Sequence, residues 1–373
     1  MKKILCAILA LAMLLALVAC GEQKAPTAEA DAAASNSLVG IILPTKEESR
    51  WLNDQKYFEQ YFNGMNYEIL FSQNNTATEK TNVETLISKG AKYIVLCAYD
   101  APAAAAAVEE AKKEGITVIS YDRLIMGTDK LDYYVTFDSY SVGKAQADYL
   151  VQQAGDEKGI NLYIYSGALT DNNSVIFFEG AWETLQPKIA DGTFVIRNCD
   201  KALEFADKND LSRDEMVSIM QTIDTEWNMA TCKALAEAHL TAAGTDAKGK
   251  VFVLGPADDD CCRALSDAFL ADGDVTELQI TGADGVEASV QYIIDGKQSM
   301  TVYKDTQALV LGTKGIIEAL EAGQTPATDT TFNNDAMDVP TVQADVVTVT
   351  KDNIAKVFFE SGVYDGSKYT GWQ

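Results

Sequence analysis

Residues Tyr93 to Ile125 read YIVLCAYD-APAAAAAVEEAKKEG-ITVISYDRLI. An apolar, β-branched run ends at Asp100, an alanine-rich amphipathic segment stops at Gly115, and a second apolar run ends at Asp122-Arg123. Strand, helix and strand at this spacing form a βαβ unit, whose crossover makes the two strands parallel. Both strands then release the chain at the same edge of a sheet. In open parallel sheets that carboxyl edge is where ligands sit. Asp100, Asp122 and Arg123 are therefore expected to face one crevice. An Asp after a strand also serves as a helix N-cap, and both readings stand for Asp100.

The same alternation extends on both sides. Leu38 to Leu43 is a buried-strand run, and the loop Pro44 to Ser49 leads into a helix carrying Arg50, Trp51 and Asp54. A strand at Tyr67 to Phe71, a helix at Glu79 to Lys89 and a strand at Tyr133 to Phe137 complete one doubly wound α/β set. The pattern restarts with a helix from Ser141 and a strand at Ile160 to Tyr165. The loop SGALTDNN follows, entering an aromatic-rich helix. Strands at Phe194, Val251, Leu278 and Met300 alternate with helices at Trp227, Cys261 and Gly285. Residues 200 to 221 read as an excursion of loop and short helix. After a helix from Thr306, a strand is expected around Val346 to Val349 and a last helix from Asp352. The fold class is thus α/β, with two lobes, each a doubly wound parallel sheet, and a cleft between them.

At 373 residues the chain is long enough for two such lobes. A formal net charge of −25 excludes nucleic acid as a natural partner, as well as docking on anionic lipid through a basic face. Lys2-Lys3 followed by an apolar run from Ile4 to Ala19 marks a secretory signal, residues 1–19. Its ending, Leu17-Val18-Ala19-Cys20, resembles the bacterial lipobox, which implies a lipidated Cys20 and a polar tether over 20–36. The apolar run is short for a spanning helix, which needs about 20 residues. The membrane contact expected is through lipid alone. Five cysteines remain beyond Cys20, an odd number at irregular spacing, which makes a poor disulfide framework. One histidine, His239, leaves no His-based metal site or catalytic triad. No cofactor and no metal are expected.

The residues expected at the strand ends form a coherent set. Lobe one offers Arg50, Trp51, Asp100, Asp122 and Arg123; lobe two offers Asn172, Asn173, Trp227, Asp258, Asp284 and Lys304. Carboxylate, amide and guanidinium groups each bond two neighbouring hydroxyls, and an indole face covers the C–H side of a pyranose ring. That inventory fits an uncharged polyol or sugar.

Jointly, Pro44-Thr45 with Arg50-Trp51, YDRLI (121–125), DNN (171–173) and YKDT (303–306) resemble the substrate-binding proteins of sugar ABC transporters. The match is to the xylose- and multiple-monosaccharide-binding branch and covers residues 38 to about 366. The resemblance implies a type I periplasmic-binding-protein fold with three crossovers, closing on one sugar. It implies sugar contacts at Arg50, Asp122, Arg123, Asn173, Asp258, Asp284 and Lys304, with Trp51 and Trp227 as stacking faces. It also implies an N-terminal lobe of 37–138 plus 305–341 and a C-terminal lobe of 139–304 plus 342–373. Relatives commonly carry Asn at the position of Ser139 and Gly at that of Asp259, and the Cys261-Cys262 pair is unusual. The function expected is that of a monomeric extracytoplasmic lipoprotein on the outer face of the cytoplasmic membrane. It would bind a monosaccharide of the xylose, glucose or galactose type and deliver it to an ABC permease. The alternatives are a receptor signalling to a chemoreceptor or sensor kinase, and a glycoside-processing enzyme.

Overall fold

In the computed structural model, which describes residues 37–372, the βαβ unit stands at the centre of the first sheet. The expected signal, Cys20 and tether fall on residues 1–36, outside the described residues. Strands β1 (Val39–Leu43), β2 (Tyr67–Phe71), β3 (Tyr93–Leu96), β4 (Thr117–Tyr121) and β5 (Tyr133–Phe137) lie in the order β2-β1-β3-β4-β5, all parallel. Their helices are α1 (Ser49–Tyr61), α2 (Thr76–Ser88) and α3 (Ala104–Lys113). Winding starts at β1 and proceeds to both sides of it, so the switch point lies between β1 and β3. The chain leaves this sheet through Asp138, whose carboxylate caps α4 (Ser139–Ala154) by accepting from Ser141 N–H at 3.0 Å.

The second lobe repeats the plan. Strands β6 (Ile160–Ile164), β7 (Phe194–Ile196), β8 (Gly249–Leu254) and β9 (Val275–Ile280) form a parallel sheet in the order β7-β6-β8-β9. Between them run α5 (Asn172–Ala190), the short α6 (Asp200–Leu203) and α7 (Arg213–Met220), α8 (Met229–Ala242) and α9 (Asp259–Ala271). Strands β10 (Ala283–Asp284) and β11 (Met300–Lys304), joined by α10 (Glu287–Ile294), pair in a separate sheet. The chain then recrosses through Asp305 into α11 (Thr306–Glu321), which packs on α1 and β5.

Two strands of the first sheet went unexpected: β12 (Thr330–Asn333) and β13 (Asp338–Ala344), the latter parallel to β5 and antiparallel to β12. Pro340 hides β13 in the sequence, because proline interrupts a strand pattern. Its pairing with β5 begins only at Thr341, one residue later, so the missing N–H costs no bond on that side. The third crossing, at Asp345, leads to β14 (Val346–Thr350), antiparallel to β11. Where a helix was expected from Asp352, a single π-helical run stands at Ala355–Glu360; in it Phe358 is fully buried, edge-on to Tyr303.

α4 and α5 meet at backbone contact. A Cβ on Gly143 would fall 1.8 Å from the Phe177 carbonyl oxygen, and one on Gly180 would fall 2.2 Å from that of Tyr140. Only glycine permits this approach from both sides. No described helix is long and apolar enough to cross a membrane.

Candidate functional site

The carboxyl ends of both lobes' strands open into one pocket with about 300 Å³ of empty volume, lined by Glu48, Arg50, Trp51, Asp122, Arg123, Asp171, Asn173, Phe177, Trp227, Ala257, Asp258, Asp284 and Lys304. Nine of the eleven residues expected at the strand ends are in that lining. Asn172, buried beside Asn173, and Asp100 are not. β3 ends at Leu96, and by Asp100 the chain has left the sheet edge; there the carboxylate accepts from Ala103 N–H at 2.9 Å. Asp122, by contrast, directly follows the last residue of β4.

Arg50 is the centre of the charge network. Its Nε donates to Asp54 Oδ2 and its Nη2 to Asp122 Oδ2, both at 2.7 Å, and its Nη1 to Asp284 Oδ1 at 3.4 Å. Asp54, one helical turn along α1, also accepts from Tyr121 Oη. Asp284 is shared with Lys304, whose Nζ lies 2.7 Å away. Trp51 carries the guanidinium carbons of Arg50 and Arg123 over its ring at 4.9 and 5.1 Å, and its indole N–H donates to Glu48 Oε2 at 2.7 Å. Arg123 pairs with Asp171 at 3.1 Å, yet its Nε–H is not aimed at that carboxylate and has no hydrogen-bond acceptor among the described residues.

Contacts also join the lobes. Asn173 Nδ2 donates to the Asp122 carbonyl at 2.8 Å, and that carbonyl further accepts from Tyr134 Oη and Thr136 Oγ1. Asn173 thus grips lobe one with the amide expected to grip ligand. Trp227 meets Phe177 edge-on, and its buried Nε1–H is without a partner among the described residues. Three lining residues, Asp122, Trp227 and Asp284, have positive φ values of 61°, 54° and 95°. Backbone strain of this kind clusters at ligand clamps.

Sequence reasoning passed over Glu48, Asp171, Phe177 and Ala257. Signals existed for three of them. Glu48 precedes Arg50-Trp51, Asp171 opens the DNN motif, and Phe177 lies four residues after Asn173, on the same helix face. Asp259, fully buried behind the pocket, accepts from Gly285 N–H, Val286 N–H, Thr301 Oγ1 and Gln298 Nε2, and so fixes the turn that presents Asp284.

Burial and neighbours sort the carboxylates. Burial pushes Glu48 up to about 7 against the opposing pull of Arg123. Burial, then the charges of Asp260, Asp284 and Glu48, holds Asp258 well above the usual range. Burial also works to raise Asp122, but Arg50, Lys304 and Arg123 outweigh it and the net shift is downward. Asp258, its Oδ1 accepting from Cys261 N–H at 2.7 Å, is accordingly biased toward its protonated form. Burial raises Asp171 as well, against the pull of Arg123. Three cations thus meet five carboxylates, of which three are shifted toward the neutral form, and the pocket's charge is near balance.

A pH dependence follows. Glu48 and Asp259 are both raised to about 7, Asp259 chiefly by burial. Between about pH 4.5 and 7 the unfolded chain sheds these two protons while the folded one retains them. Stability therefore falls as pH rises through that window. The depressed Asp122 works the other way, with its contribution lost only as pH falls below about 4. The ligand-free protein is expected to be less stable at pH 8 than at pH 5 by about 1 kcal/mol or more, and Glu48→Gln should flatten the slope. Calorimetric melting at the two pH values checks this; a Tm that is level or rising toward pH 8 counts against it.

Two parallel-sheet lobes whose carboxyl ends share one polar pocket define a two-lobed small-molecule receptor. The family model of the periplasmic binding protein domain matches residues 39–325, and the chain belongs to that family. Its relatives include the multiple sugar-binding periplasmic receptor ChvE of Rhizobium radiobacter, 32% identical over 89% of this chain and 92% of that protein. The D-xylose-binding periplasmic protein of Escherichia coli K12 is 27% identical over 88% of this chain and 92% of its own length. Among solved structures, a carbohydrate transporter solute-binding protein from Chloroflexus aurantiacus in complex with D-glucose superimposes with a TM-score of 0.88. It is 52% identical, over 90% of this chain and 98% of that one.

Proposed function

We propose that this protein captures one monosaccharide of the glucose, xylose or galactose type between its lobes and delivers it to an ABC transporter permease. The observation that carries this reading is the pocket itself: paired guanidinium and carboxylate groups in near charge balance and two indoles. Such a lining offers many hydrogen bonds to hydroxyls and no net attraction for an ion. The Trp227 indole N–H, without a partner among the described residues, is a donor that a sugar's oxygens would satisfy. The glucose bound in the 52% identical neighbour supports the same class of ligand.

The reading is one of binding rather than catalysis. The pocket carboxylates Asp122 and Asp284 are engaged by Arg50 and Lys304 instead of standing free across a scissile bond. We take the lobes as 37–138 with 305–341, carried to Ala344 by β13, and the remainder from 139 onward. The protein would act as a monomer outside the cytoplasmic membrane, held by lipid on Cys20. A signalling partner is the second reading, favoured by the relative described as a receptor. Titration calorimetry with glucose, xylose, galactose, arabinose and ribose should show at least one micromolar or tighter ligand. Silence across the panel would overturn the proposal.

A further inference from the structure

Helix α1 carries Arg50 and Trp51, yet its start is not capped from within. Glu48, the N-cap residue, accepts from Trp51 N–H with its main-chain carbonyl at 3.2 Å, but its carboxylate is on the Trp51 indole and makes no side-chain cap bond among the described residues. The first N–H groups of a helix have no intrahelical acceptor and carry the positive end of its dipole. Here the acceptor comes from 211 residues away: Ser49 N–H donates to Asp260 Oδ2 at 2.7 Å, and Ser49 Oγ donates to Asp260 Oδ1 at 3.1 Å. Asp260 lies in the first turn of α9, in the other lobe. It is 4% exposed, and its Oδ1 also accepts from Arg263, which itself donates to Ser289 Oγ at 2.6 Å. Neither Ser49 nor Asp260 lines the pocket.

We propose that Ser49 and Asp260 form a closure latch, in which lobe two caps the ligand-gripping helix of lobe one only when the cleft is shut. This rests on the reading of the protein as one that closes over a sugar. The arrangement couples two events: the helix presenting Arg50 and Trp51 gains its missing cap at the moment the lobes meet. The latch adds to the stability of the closed state without touching ligand. A contact of that kind slows release and leaves the choice among sugars untouched.

The test uses Ser49→Pro and Asp260→Asn in the full chain. Proline at the first helical position keeps the helix while deleting both donors, the N–H and the hydroxyl. Glu48 already has the extended backbone that a following proline demands, with φ −95° and ψ 126°. Each variant should release bound sugar about tenfold faster, the effect of losing one charge-assisted bond. The association rate and the rank order of sugars should hold, and the double variant should be no worse than either single. The ligand-free Tm of Ser49→Pro should stay that of the wild type, because the contact is absent from the open form; Asp260→Asn also weakens the pair with Arg263 inside lobe two and is read by release rate alone. Wild-type release rates in both variants would overturn the latch. So would a fall in the ligand-free Tm of Ser49→Pro matching its loss of affinity, the mark of an ordinary helix cap. Should the wild type bind no sugar, the functional reading fails, while small-angle scattering still reads the latch. Variants more expanded than wild type then support it, and superimposable profiles overturn it.

Discussion

Arg50→Met is expected to abolish sugar binding and to lower folding stability by about 3–5 kcal/mol, the cost of breaking a buried ion pair by removing one partner. The Arg50 guanidinium is the joint between Asp54, Asp122 and Asp284, all of them buried and all within 3.4 Å of one of its nitrogens. Methionine fills much of the same space but leaves three carboxylates with their common partner gone. Burial already drives Asp54 upward in the native protein, and without Arg50 it would take up a proton. Asp284 would retain Lys304, so the damage falls mainly on Asp54 and Asp122. The loss of stability should therefore be greater at pH 8 than at pH 5, where protonation relieves the repulsion. Arg50→Lys should rescue little, since a point charge cannot fork toward three acceptors. Urea unfolding and calorimetry with the best sugar check both halves. A variant with wild-type affinity would remove Arg50 from the centre of the site.

Asp122→Asn should weaken sugar binding about 100-fold, the upper range for losing one hydrogen bond to a charged group, while the fold persists. The carboxylate is held in its charged form by Arg50, Lys304 and Arg123 despite its burial, which makes it a strong acceptor for sugar hydroxyls. Asparagine tolerates the left-handed φ of 61°, and the main-chain carbonyl would still accept from Tyr134, Thr136 and Asn173. The interlobe bond is thereby spared and the charge alone is tested. Asp122→Ala adds about 1 kcal/mol or more of backbone strain at the same position and confounds the two. Unchanged affinity in the asparagine variant would move the ligand elsewhere in the pocket.

What could be read from the chain follows a physical division. Strand ends marked by an abrupt change from β-branched residues to charge were legible, and Asp122-Arg123, Asp284 and Lys304 were found that way. Asp100 misled because the same mark occurs where the chain has already left the sheet edge. Glu48 and Asp171 look like solvated charges in isolation. Only the fold buries them, at 7% and 3% exposure, against Arg123. β12 and β13 escaped because one is a short, largely exposed threonine-rich edge and the other contains a proline. The interlobe bonds of Asn173 and Asp260 join residues far apart in sequence, and no local pattern announces such pairs.

The glycine seam between α4 and α5 bears on how motion would travel. α4 starts immediately after the first crossing, and α5 begins with Asn172-Asn173 at the pocket. With Gly143 and Gly180 pressed against the facing backbones, the two helices have no room to slide and must turn as a single lever. A small rotation at Asp138 would therefore reach Asn173 and Phe177 undamped. A side chain wedged into that seam would act as slack in a gear train, uncoupling the pivot from the jaws without altering either.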